Sequence, residues 1–205
     1  QFRIQTTETS DGVIPGEAAG FIVLEYQDVV RHTDELPYAW LKGLSVQAEP
    51  NHGKPDQQRL NGLGQAMSSL LACCGITKER LSSLVLALGT EQTDRIEWYQ
   101  TENSLWPYQA SEQEMTALRL GEVDTIDPEP PAIPEKLDLN LTVGDIGLAS
   151  LPVSIILAVA RFDFSHPVCK RVMVLESGET PFRGAIYIKH PTNGKQIEQI
   201  LNDVA

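Results

Sequence analysis

The stretch DGVIPGEAAGFIVLE, Asp11 to Glu25, governs how the rest of the chain is read. Its second half continues into Tyr26 as AAGFIVLEY, an apolar run with no polar residue on alternate positions. A strand with one wet face would alternate, so an unbroken run predicts a strand covered on both faces. Residues 18–26 are therefore expected to form a central strand of a mixed sheet. Residues 1–12, which lead into it, are polar and read as a loop.

Working outward, Trp40 to Ala48 is a second strand candidate with partial alternation, and Asn51 to Pro55 is a turn cluster. From Asp56 a helical period runs through Leu60, Leu63, Met67, Leu70 and Leu71 and stops at Gly75. Gly62 and Gly64 are expected to weaken it or to permit close packing. Leu84 to Leu88 reads as a short buried strand, and Thr93 to Glu102 as a helix. Residues 103–143 carry the least regular pattern. Within them Asp124 to Lys136, DTIDPEPPAIPEK, reads as a proline-rich acidic surface loop. A helix is expected within Asp145 to Phe162, strands at Arg171 to Leu175 and Ala185 to Lys189, and a last amphipathic helix over Lys195 to Val204. No internal repeat or low-complexity tract interrupts this order, which predicts one layered α/β domain over residues 1–205.

Composition narrows the function classes. The chain has 205 residues, 41 % of them hydrophobic, enough for a true core. Its formal net charge is −12, and its 16 Lys and Arg are scattered, so neither nucleic acid nor an anionic membrane surface is an expected partner. The longest apolar stretch, Ile146 to Ala160, is read as a buried helix too short to cross a bilayer. With no initiating Met and no leader pattern, Gln1 is expected to lie inside a longer gene product. Cys73, Cys74 and Cys169 fit neither a disulfide framework nor a metal site, and the four scattered His add no ligand spacing. No metal or cofactor is expected, and a reducing cytoplasm is the expected compartment.

The quoted stretch resembles the D-G-F-V-x-G-E-G-A-G-x-L-V-L-E signature that opens the second half of β-ketoacyl synthases. Other landmarks follow in the same order. The helix ending at Gly75-Ile76 is similar to the family's AL-x-x-AG-[LI] helix. LVLALGTEQTDRIE, Leu84 to Glu97, resembles the strand entering H-G-T-G-T with its later D-x-x-E. VGDIGLAS, Val143 to Ser150, resembles the G-H-x-x-x-A helix start, and Val174 to Ile188 the final N-S-F-G-F-G-G turn and strand. The resemblance implies the C-terminal half of a thiolase-like layered fold, a mixed sheet with helices on both faces.

It also implies that the catalytic positions are substituted. A condensing enzyme uses a Cys from its first half and two His and a Lys from its second. Each donor to the enolate contributes roughly 2.7–4 kcal/mol of transition-state stabilisation. The first His matches Leu88, which has no donor and reads as a core residue at a strand end. The second matches Asp145, whose carboxylate would repel the malonyl carboxylate and the enolate. It reads as a helix N-cap, with Ser150 ahead of Pro152 as the competing helix start. The Lys matches Asn140. In the turn Ser177 to Gly184, Pro181 and Phe182 replace the small residues that let a backbone approach a thioester. Asp94 and Glu97 keep the D-x-x-E spacing and read as solvated or paired charges on a helix face. The three cysteines read as packing residues, since Cys73 and Cys74 end a helix where the dipole disfavours a thiolate.

The resemblance thus implies a pseudoenzyme half that acts as a structural subunit, as chain-length factors do. Similar accessory proteins encoded with bacterial secreted toxins suggest an adaptor or chaperone for a secretion-system effector instead. Expected partners are an N-terminal half segment or a separate thiolase-like subunit, in a homo- or hetero-oligomer with an obligate interface above roughly 1,600 Å². The alternative is an acyl-thioester transferase or hydrolase that borrows a Cys from an upstream half or partner chain, with Asp145 as base. A binder of acyl or aromatic ligands in the vacated pocket is a third reading. If the resemblance holds, Leu88 and Asp145 lie within roughly 10 Å of each other.

Overall fold

The computed structural model describes residues 15–26, 28, 37–54, 61–89, 91–108, 110–123, 125, 131–164, 169–178 and 180–191. Five strands among them form one sheet: β1 (Trp40–Ala48), β2 (Ser83–Ala87), β3 (Glu135–Asp138), β4 (Arg171–Glu176) and β5 (Phe182–Lys189), in the order β1-β5-β4-β2-β3. β2 pairs in parallel with β3 and β4, whereas β5 runs antiparallel to both β4 and β1. The expected mixed α/β sheet with helices on both faces is therefore present.

One face is covered by α1 (Gly62–Cys74) and α2 (Gln92–Leu105). The period that predicts α1 puts Leu63, Ala66, Met67 and Leu70 against Leu84, Leu86, Met173, Leu175 and Tyr187 of the sheet. The other face receives α5 (Ser150–Phe164), with Ala158 and Phe162 against Val85, Val172, Val174, Ile186 and Ile188. Residues 103–143 are more regular than their composition suggests. They hold α3 (Glu112–Leu120), β3 and the short α4 (Leu139–Val143). Ser111 and Glu114 close a reciprocal capping box at the start of α3. The acidic segment expected as loop to Lys136 ends earlier, because Glu135 and Lys136 pair with Ser83 and Leu84 of β2. The helix expected from Lys195 to Val204 lies outside the described residues.

The central strand expected at residues 18–26 is not formed. Pro15 makes a single bridge to Asp145, Gly20 lies against Pro152 and Ile156 of α5, and the residues beyond run free of the sheet. Phe21 is 92 % exposed and Val23 86 %. An apolar run reports a need for burial but does not say which surface supplies it. Among the described residues β5 takes the place between β4 and β1, and residues 21–26 are exposed.

Helix α5 also departs from expectation, since only Ser154, Ala158 and Phe162 are fully buried. Together with the turn before it, Gly147–Phe164 is one helix long and apolar enough to cross a membrane, so the expectation that it is too short does not hold. Its inner side is committed to the sheet, and Arg161 on it pairs with Glu135.

Candidate functional site at the strand carboxyl ends

In open α/β sheets, ligands gather beyond the carboxyl ends of parallel strands. Here β2, β3 and β4 finish side by side at Ala87, Asp138 and Glu176, and the antiparallel β5 starts beside them at Phe182. The segments that follow carry Leu88, Asp94, Glu97, Asn140, Asp145 and Pro181.

Leu88 is 1 % exposed and belongs to the core under α1 and α2. Asn140, on α4, donates from Nδ2 to the Leu88 carbonyl, so two of the three positions matched to catalytic residues in the sequence reading touch. The third comes to the same edge, because Ile146, next to Asp145, packs with Ala87 and Leu139 in one cluster. The Asp145 carboxylate accepts a hydrogen bond of 2.8 Å from the Gly147 amide, and its carbonyl accepts one of 2.8 Å from Gly16. Asp145 is therefore not the N-cap of α5: its side chain bonds the backbone two residues on, and the turn Gly147–Ala149 that leads into α5 has Ile146 at its N-cap, with no side-chain cap bond. The Asn140 Oδ1 and Ser177 Oγ atoms are buried without a hydrogen-bond partner.

A second group of side chains fills the same edge on the α1–α2 face. Arg183, fully buried, donates from Nε to Glu97 Oε2 at 2.8 Å. Its Nη1 reaches the carbonyls of Thr180 and Phe182 at 2.7 and 3.1 Å. Its Nη2 lies 4.0 Å from Asp94 and 3.4 Å from His52 Nδ1. Glu97 and Glu49 in turn accept from the Leu63 and Gly62 amides at 3.0 Å each, so two buried carboxylates satisfy the free N–H groups that start α1. A side chain at Gly62 would be crowded here: a Cβ would sit 3.2 Å from Arg183 Cγ and 3.3 Å from Glu49 Cβ. Asp94 and Glu97 are thus paired charges but not solvated ones. Sequence reasoning missed Arg183 and Glu49. An Arg two residues before Ala185 in an alternating strand, on the side of Ala185 and Tyr187, was the available signal.

Of the cysteines, Cys169 is buried and Cys74 half-buried, but Cys73, expected as a packing residue, is exposed. Burial and the neighbouring Cys73 push the Cys74 thiol up, which opposes thiolate chemistry.

No protein-family profile matches the chain, and no curated protein does. Solved structures do. The ishigamide ketosynthase/chain length factor superimposes with a TM-score of 0.65 at 12 % identity, over 87 % of this chain and 44 % of that one. A type II PKS acyl-carrier protein in complex with its ketosynthase bound to the hexaketide gives 0.53 at 12 % identity, over 75 % and 38 %. Human mitochondrial 3-ketoacyl-CoA thiolase gives 0.47 at 15 % identity, over 81 % and 34 %. The fold is thus the thiolase-like, ketosynthase-like α/β fold, and the chain spans less than half the length of the solved chains it matches.

Proposed function

We propose that this chain is a non-catalytic ketosynthase-like half whose work is to pair with another polypeptide, as a structural subunit or adaptor. One observation carries the reading: the residues at the catalytic positions are spent on holding the fold. Leu88 fills the core, the Asn140 amide group is tied to the Leu88 carbonyl, and the Asp145 carboxylate holds the Gly147 amide. Leu88 and Asp145 carry no side-chain donor for a developing enolate, and the Asn140 Nδ2 already donates to the Leu88 carbonyl, whereas such donors are the largest part of this chemistry.

The pairing half of the proposal is supported by what is left uncovered. Leu44, Val46, Phe182, Ile156 and the 21–26 run are exposed, and solvent-facing apolar area on this scale marks an interaction surface. The solved chains of this fold are about twice as long, and two of them belong to assemblies: one a ketosynthase/chain length factor, the other an acyl-carrier protein with its ketosynthase.

The test has two arms. Purified residues 1–205 should neither decarboxylate malonyl thioester nor hydrolyse acyl thioester above buffer. Leu88→His should lower stability by roughly 1–3 kcal/mol, the cost of a polar ring in an apolar core, without creating activity. In sedimentation the lone chain should self-associate or bind apolar dye. Turnover abolished by Asp145→Asn would overturn the non-catalytic reading in favour of the thioester enzyme. A monodisperse monomer that binds no dye would overturn the pairing.

A further inference from the structure

One row of residues on the uncovered part of the sheet holds a carboxylate. On the face that α5 partly covers, strand register sets four residues in a row: Val46 opposite Gly184, Gly184 opposite Glu176, and Glu176 opposite Ala87. Leu44 lies beside Ile186 and Ala48 beside Phe182 on the same face, and Leu44, Val46 and Phe182 are all more than half exposed. The Glu176 side chain leans across Gly184 toward β1, for a Cβ at Gly184 would lie 3.4 Å from Glu176 Oε2. Its carboxylate has no hydrogen bond or ion pair among the described residues, in contrast to Glu49, Asp94 and Glu97 on the opposite face.

We infer that this face docks an apolar polypeptide surface which sets one lysine or arginine side chain against Glu176. The inference rests on the pairing proposed above and adds the chemistry of the contact. A purely apolar partner would strip a carboxylate of water and leave it unpaired, the least favourable outcome for a buried charge. An acidic or phosphate-bearing surface would meet like charge, and the chain as a whole is already at −12. A basic side chain seated at the Gly184 notch satisfies the carboxylate, and the surrounding Leu44, Val46 and Phe182 take the apolar area.

Burial alone already holds the Glu176 carboxyl above the usual carboxylate range, and no charged neighbour contributes to the shift. Its row neighbours Ala87, Gly184 and Val46 do not titrate, and the α5 cation Arg161 is engaged with Glu135. Because the folded chain holds this proton more tightly than the unfolded chain, Glu176 lowers stability as pH rises through its raised pKa. Glu176→Gln in the lone chain should therefore be more stable than the parent near neutral pH and lose that advantage below the ordinary carboxylate range.

The docking chemistry can be read without the partner, by methyl NMR of the full chain with decylammonium and with decanoate, both below micelle concentration. At about pH 7 decylammonium should shift the Leu44 and Val46 signals and bind about tenfold more tightly than decanoate. Glu176→Gln should erase the difference. Equal affinities, a preference that survives in Glu176→Gln, or no response of these methyls would overturn the inference, as would binding to phosphatidylglycerol vesicles through this face. A photo-crosslinker at Val46 then tests the partner itself. The adduct should map to a segment with a lysine or arginine, and Glu176→Lys should abolish it until that basic residue is exchanged for Glu. An adduct whose yield ignores both charges would sink the cation contact and leave the pairing intact. A dye-silent monomer, the failure outcome of the previous section, sinks the pairing first.

Discussion

Arg183 shows how much a single residue decides here. Its guanidinium is taken wholly out of water and reaches Glu97, Thr180, Phe182 and His52, so it ties the start of β5 to α2 and to the loop after β1. Removing one member of a buried ion pair strands the other, at a cost of about 3–5 kcal/mol, whereas replacing both with apolar residues of similar volume is often neutral. Arg183→Ala should lower the chemical-denaturation free energy by that amount, and Arg183→Met with Glu97→Leu should recover much of it. Recovery is limited by one further role of Glu97, its hydrogen bond from the Leu63 amide. A small loss in the single variant would show the pair to be exchangeable with solvent.

Among the elements, α1 has the most unusual start. Asn61 adopts a left-handed backbone, with φ 61° and ψ 47°, and its side chain accepts from the Gly64 amide at 3.0 Å and from Thr101 Oγ1 at 2.6 Å. Asparagine is one of the few residues that visits this region readily and also caps. Asn61→Ala loses the cap, about 0.5–2 kcal/mol, and strains the left-handed backbone by about 1–2 kcal/mol more. Asn61→Gly relieves the backbone and should cost less than the alanine variant. Thermal melts of the two side by side check this, and an alanine variant no worse than the glycine one would show that neither conformation nor cap matters at this position.

For the whole molecule, the sheet is finished on one face and unfinished on the other. α1 and α2 bury Leu84, Leu86, Met173, Leu175 and Tyr187, whereas α5 stops short of Leu44, Val46 and Phe182. Leu44→Asp with Val46→Asp should therefore leave the stability of the lone chain within about 0.5 kcal/mol, as surface substitutions do. The same pair should abolish association in sedimentation. Loss of folding instead would place these residues in the chain's own core.

What the sequence determined by itself was whatever depends on local pattern. Periodicity was enough for α1, the alternation of Trp40–Ala48 for β1, and short apolar runs for β2, β4 and β5. The motif order was enough to bring Leu88, Asn140 and Asp145 to one edge of the sheet. The tertiary structure decided which surfaces meet. AAGFIVLEY and the helix Ser150–Phe164 have the composition of buried elements, yet burial needs a covering layer, and among the described residues only the inner side of the helix finds one, against the sheet. The regular elements within 103–143 depended on a capping box and on pairing with β2 more than on any apolar period. Arg183, Glu97 and Glu49 look like surface charges in a linear reading. They are buried because three distant segments converge at the strand ends, where the free amides of α1 and a guanidinium repay their desolvation.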